Sequence, residues 1–151
     1  MKAKTIVTVV LLLFVGASVV ALVVQEMREK PTGGEPVEGD KVVAYYFHGT
    51  KRCKACRAIE AAAQEAVQTR FPQALDDGRL EWRVANYEAP ENEALASDYQ
   101  VMASTVVVVQ WRDGQRARWE NLEEEVWDNI SDEAKLQDAV RQQVAAMLKE
   151  G

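Results

Sequence analysis

Cysteine and histidine are almost missing from this sequence: it has two of the first and one of the second among 151 residues. Cys53, Cys56 and His48 fall short of the four ligands a zinc site normally takes, unless two chains share one. Positive charge is also scarce, with 18 Lys and Arg against 24 Asp and Glu and a formal net charge of -6. That balance excludes the broad cationic face on which phosphate backbones bind, so nucleic acid is not an expected partner. Proline and glycine number only 4 and 8, and the 48% hydrophobic and 28% charged content is that of a folded chain rather than a disordered one. No segment repeats. Uninterrupted apolar runs of spanning length are absent but for one.

That run is Thr5 to Val24, TIVTVVLLLFVGASVVALVV, about 20 residues without a charge. At about 1.5 Å of rise per residue it is long enough to cross a hydrocarbon layer about 30 Å thick. A cleaved signal peptide is the rival reading, with a small-residue site at Val19-Val20-Ala21. The apolar run continues past Ala21, which favours residues 1–24 as an anchor. Lys2 and Lys4 precede the span, and by the positive-inside tendency they keep the amino terminus in the cytoplasm. The expected location is therefore a cell membrane, crossed once, with the soluble part on the extracytoplasmic or periplasmic side, where dithiols are often oxidised.

Residues 25–40, QEMREKPTGGEPVEGD, have no apolar periodicity and read as a flexible linker. A single domain over 41–151 follows. Val42 to Phe47 and Val106 to Val109 are unbroken apolar runs, as expected of strands covered on both faces. Between them, Ile59, Ala62, Ala63, Ala66, Val67 and Phe71 recur at helical spacing, ending before Pro72. Leu80, Trp82 and Val84 alternate with Glu81 and Arg83 as in a strand. Pro90 opens a short helix through about Asp98. Asp113-Gly114 suits a hairpin turn, and Ala117 and Trp119 alternate on the returning strand. Ser131 is the expected cap of a last helix with the stripe Leu136, Val140, Val144, Met147 and Leu148. Glu123-Glu124-Glu125 reads as solvated surface, and Trp82, Trp111, Trp119 and Trp127 as packing residues. The fold class is α/β, a four-stranded mixed sheet with helices on both faces, preceded by one transmembrane helix.

Both cysteines lie in YYFHGTKRCKACRAIEAAA, Tyr45 to Ala63, at the junction of the first strand and first helix. Three residues of separation across a helix start let the two sulfurs meet. Cys53 then lies beside unpaired N–H groups and the positive end of the helix dipole, while Lys51, Arg52, Lys54 and Arg57 add positive charge. All of these favour thiolate over thiol, and only the thiolate is a nucleophile. Cys53 is the expected nucleophile and Cys56 the resolving thiol of a thiol–disulfide exchange with a protein or small-molecule disulfide or dithiol. His48 is a candidate proton shuttle. A permanent structural disulfide is a weak alternative, because closing so short a loop contributes little chain entropy. A Cu(I) metallochaperone is another, since soft Cu(I) accepts two thiolates. A third is a relay subunit taking electrons from a membrane-embedded thiol reductase. No cofactor and no resident metal are expected.

The CxxC after the first strand, the helix following it, Tyr99-Gln100-Val101 leading into Val106 to Val109, and the Asp113-Gly114 hairpin together resemble the thioredoxin superfamily. The resemblance covers roughly Val42 to Leu148. More narrowly, YYFHGTKRCKACRAIE behind one membrane helix looks like the membrane-anchored thioredoxin-like proteins named nitrophenyl compound nitroreductase subunit ArsF, although nothing here resembles a flavin site. The superfamily resemblance implies a thioredoxin-like fold and disulfide chemistry. It also implies a substrate-docking loop, for which this chain offers Ser104 and Thr105 where the family has a cis-proline. Tyr46 stands where the family has a buried acid, and Arg52 where it has an aromatic residue before the first cysteine.

Overall fold

Two strands of this protein are buried along almost their whole length, and that fact organises the rest. The computed structural model describes residues 37–149. β1 (Lys41–His48) and β3 (Thr105–Arg112) carry the unbroken apolar runs, and every residue from Val42 to Phe47 and from Thr105 to Trp111 is buried. Side chains of a strand alternate between faces, so such a run requires cover on both sides. β1 and β3 are accordingly the central strands of a four-stranded sheet in the order β2-β1-β3-β4.

The flanking strands are β2 (Leu80–Asn86), parallel to β1, and β4 (Gln115–Asn121), antiparallel to β3. β1 and β3 also pair antiparallel, placing Tyr46 opposite Val106 and Phe47 opposite Thr105. Edge position explains the alternating sequences of β2 and β4. On β2 only Leu80 and Trp82 join the helix-covered core, and the expected third apolar position, Val84, is 47% exposed. Asp113 and Gly114, at φ of 51° and 72°, make the hairpin between β3 and β4, the doubly left-handed turn that matches strand twist.

One face of the sheet is covered by α1 (Lys54–Arg70), α2 (Pro72–Asp76), α4 (Glu123–Asp128) and α5 (Glu133–Lys149). Ile59, Ala62, Ala63, Ala66 and Val67 of α1 meet Leu136, Val140, Val144 and Met147 of α5 over Val42, Ala44, Val106 and Val108. Burying a side chain the size of valine or isoleucine contributes about 1.5–3 kcal/mol, so this stripe-on-sheet layer is the main source of stability. The other face is aromatic: Tyr45, Phe47, Tyr99 and Trp111 pack with Val37, Val43, Val107, Val109 and Leu95 of α3 (Glu93–Asp98), which follows a 3-10 turn at Pro90–Asn92. The strand order, pairing and helices on both faces give a thioredoxin-like arrangement.

Some sequence expectations change in detail. α2 and α4 were not expected, and the three glutamates read as plain surface form the first turn of α4. The cap of α5 is Asp132, whose carboxylate accepts the Lys135 N–H at 3.2 Å, rather than Ser131 one residue earlier. Packing starts at Val37, ahead of Lys41. The expected anchor over 1–24 and most of the linker lie outside the described residues; among the described residues no helix is long and apolar enough to cross a membrane.

Candidate functional site: a dithiol at the start of the first helix

β1 ends at His48, and a four-residue loop, Gly49 to Arg52, leads into α1. The loop is stapled to the segment after β2. Tyr87 N–H donates to the His48 carbonyl at 2.9 Å, Thr50 N–H donates to Glu88 at 2.8 Å, and the Asn86 amide donates to the Thr50 hydroxyl at 3.2 Å. Glycine at 49 follows from this crowding, since a Cβ there would sit 3.1 Å from both the Glu88 carboxylate and the Tyr87 hydroxyl. The Thr50 N–H holds the Glu88 carboxyl below its ordinary range, helped by the Thr50 side chain and the positive charge of Lys51.

Cys53 is the N-cap of α1, and its sulfur accepts the Cys56 N–H at 3.0 Å. It therefore does what Ser or Asp usually does at this position, satisfying one of the helix's free N–H donors. The same bond and the helix dipole stabilise negative charge on that sulfur when it is reduced. Cys53 is bonded to Cys56 in a disulfide, with Cα atoms 5.1 Å apart. The two sulfurs differ in access: Cys53 is exposed, whereas Cys56, one turn into the helix, is 8% exposed. An incoming nucleophile therefore meets Cys53 first.

Beneath Cys56 lies Tyr46, fully buried on β1, whose hydroxyl donates to the Cys56 carbonyl at 2.6 Å. Burial pushes the Tyr46 phenol up, so it stays a proton donor, with the Ser104 side chain beside it pulling weakly the other way. Position 46 thus ties strand to helix under the dithiol. Ser104 and Thr105, the expected docking loop, are both buried. The Ser104 carbonyl accepts Trp127 Nε1–H at 3.0 Å, and the Thr105 hydroxyl donates to Asn121 at 2.9 Å. No peptide bond among the described residues is cis.

The four expected cations separate into two kinds. Arg52 is ion-paired to Glu60, N to O 2.5 Å, with side chains 33% and 21% exposed. Lys51 shares the field of Glu88. Lys54 and Arg57 are exposed on the first turn of α1 and form no ion pair among the described residues. His48 is on the same face of β1 as Tyr46, ring centroids 6.1 Å apart, and its Nδ1 meets the Gly49 carbonyl at 2.9 Å. Since a carbonyl only accepts, Nδ1 carries the hydrogen in that contact. No hydrogen bond joins His48 to either cysteine.

Sequence reasoning missed Glu60 and Glu88. Glu60 carried a readable signal: four residues after Cys56, it belongs to the same helical face. Glu88 carried none, because its place depends on β2 lying alongside β1. Among the described residues no three His, Cys, Asp or Glu side chains converge as a metal site. A groove of about 490 Å³, lined by Arg70, Phe71, Arg79 and Leu148 among others, lies at the opposite end of α1 from Cys53. That groove is therefore remote from the dithiol.

No protein-family model matches this chain, and no curated protein matches its sequence. Solved thioredoxin structures are similar to it at low identity. The thioredoxin of Fasciola hepatica is 19% identical, with a TM-score of 0.38, over 70% of this chain and 82% of that one. The thioredoxin of Malassezia sympodialis is 21% identical, with a TM-score of 0.41, over 72% and 79%. Thioredoxin f2 of Chlamydomonas reinhardtii is 12% identical, with a TM-score of 0.39, over 66% and 83%.

Proposed function

We propose that the protein is a thiol–disulfide oxidoreductase, tethered to a membrane by residues 1–24 and working on the extracytoplasmic side. The observation that carries the chemistry is the asymmetry of the pair: an exposed Cys53 sulfur that caps α1 and accepts a backbone N–H, bonded to a buried Cys56 one turn along.

Exchange proceeds in two displacements. In the reducing direction the Cys53 thiolate attacks one sulfur of a substrate disulfide; a Cys53–substrate bond forms, the substrate S–S bond breaks, and the other substrate sulfur leaves with the electron pair. Cys56 then loses its proton and attacks the Cys53 sulfur, releasing the second substrate thiolate and closing the Cys53–Cys56 bond. The substrate gains two electrons and the protein loses two. In reverse, a substrate dithiol reduces the pair. A second thiol couple, of which a membrane-embedded thiol reductase is one kind, returns the protein to its starting state.

The test uses the full chain in detergent. Cys56→Ser is expected to accumulate mixed disulfides, and Cys53→Ser is expected to accumulate none. The wild-type pair is expected to equilibrate with a glutathione buffer at one defined potential. Tight stoichiometric Cu(I) binding by a reduced pair that does not exchange with glutathione would replace this reading with copper transfer.

A further inference from the structure

We propose that Glu60 sets how readily Cys53 ionises, and so where the dithiol stands between oxidised and reduced, by holding the Arg52 guanidinium. The proposal rests on the exchange reading above and concerns the regulation of the same site.

Arg52 immediately precedes Cys53, and Glu60 lies one turn beyond Cys56 on α1. The ion pair between them, N to O 2.5 Å, therefore brackets the CxxC ring. A lone guanidinium beside Cys53 would stabilise its thiolate strongly. Paired with a carboxylate at contact distance it presents mainly a dipole, whose field falls off faster than that of a single charge. Glu60 thus cancels much of the charge the sequence places next to the nucleophile. The pair is anchored from below as well, because the Tyr46 hydroxyl, itself bonded to the Cys56 carbonyl, faces both Arg52 and Glu60.

Other charged or titratable groups belong to the segments around the dithiol. They are Lys51 in the loop, Lys54 and Arg57 on α1, Tyr46 and His48 on β1, and Glu88 after β2. All of them are common to the wild type and the variants below, so their contributions cancel in the comparison. Glu60 is a positioning residue here: it acts on Cys53 through Arg52 and exchanges no electron or proton with substrate.

The chemistry fixes a sign for each change. Glu60→Gln keeps the shape of the side chain and frees the cation, so it should lower the pH midpoint of Cys53 alkylation by iodoacetamide. It should also move the glutathione equilibrium toward the reduced pair. Arg52→Gln leaves an unbalanced carboxylate and should move both readings the other way. The double variant should return close to wild type. Each single change is expected to shift the midpoint by about half to one pH unit, the equivalent of about three- to tenfold in thiolate population at a pH below it. The midpoint is the proper reading, because a thiolate of lower pKa is also intrinsically less nucleophilic.

The measurement is made on the full chain in detergent, with thermal unfolding of the oxidised proteins run in parallel. Opposite shifts from the two single variants, cancelling in the double, are the expected result. Shifts of the same sign, or no shift in either, while wild type still equilibrates with glutathione, overturn the proposal. A wild type that does not equilibrate with glutathione overturns the exchange reading instead.

Discussion

α1 and α5 are both 17 residues long and pack side by side on one face of the sheet, yet their first turns are built on opposite principles. α5 follows the electrostatics of a helix: Asp132 caps it, Glu133 lies in its first turn, and Lys149 in its last. α1 obeys the rule at its far end, with Arg70, and breaks it at the near end, where no acid is present and Lys54 and Arg57 face the positive pole of the dipole. Stability alone would have placed acids there. α1 gives up favourable charge at one end, with a cysteine where Asp or Ser usually stands, and under the proposed exchange chemistry that is where reactivity takes precedence over stability.

The comparison can be broken by changes that should act on only one side of it. The largest effect is expected from Leu136→Ala in α5, which opens a void in the core and should cost about 2–5 kcal/mol of unfolding free energy. The alkylation midpoint of Cys53 should not move. Tyr46→Phe, under α1, should come next: it removes the hydroxyl from the Cys56 carbonyl and should cost about 1–3 kcal/mol. Because it also loosens the dithiol's support, it should change the glutathione equilibrium, which Leu136→Ala should leave alone.

Smaller effects sharpen the contrast. The bond from the Lys135 side chain holds the Asp132 carboxyl below its ordinary 3.8, with the Lys135 N–H as the next contributor. A carboxyl lowered on folding adds stability above its unfolded value and loses it as pH falls through the folded one. Asp132→Ala should therefore lower the Tm at neutral pH, by a margin that closes below about pH 3.8. The smallest shift in stability is expected from Lys54→Glu, which restores the dipole rule to α1. It should stabilise the oxidised protein by about 0.3–1 kcal/mol while raising the Cys53 alkylation midpoint. A gain in both stability and thiol acidity would sink the contrast between the helices.

How much of this could be read beforehand depended on how local the cause was. β1 and β3 were legible because strands covered on both faces carry long apolar runs, and Asp113-Gly114 because the turn needs two left-handed residues in succession. The place of Cys53 at the start of α1 was legible from the two-residue spacing and the helical stripe beyond it, whereas its capping bond was not. α4 was not, because its six residues hold only Val126 and Trp127 as apolar positions, too few to show a period, and open on three glutamates. Ser131 and Asp132 both suit a cap, and only backbone geometry decides between them. The roles of Tyr46 and Glu88 were beyond sequence, because each partner is brought by the sheet from a distant stretch of chain.

The far end of β1 has a mechanical consequence. Asp40, just before Lys41, accepts the Asp113 N–H at 2.8 Å and pairs with Arg112 at 3.6 Å, which moors the start of the strand to the β3–β4 hairpin. His48 ends the strand beside the loop that carries the dithiol, roughly 23 Å away at about 3.3 Å of rise per residue. A tug on the chain ahead of Lys41 therefore loads β1 lengthwise, in shear against β2 and β3, where its ladder bonds resist together rather than peeling one by one. The Cys53–Cys56 bond lies beyond the opposite end of β1, away from that load.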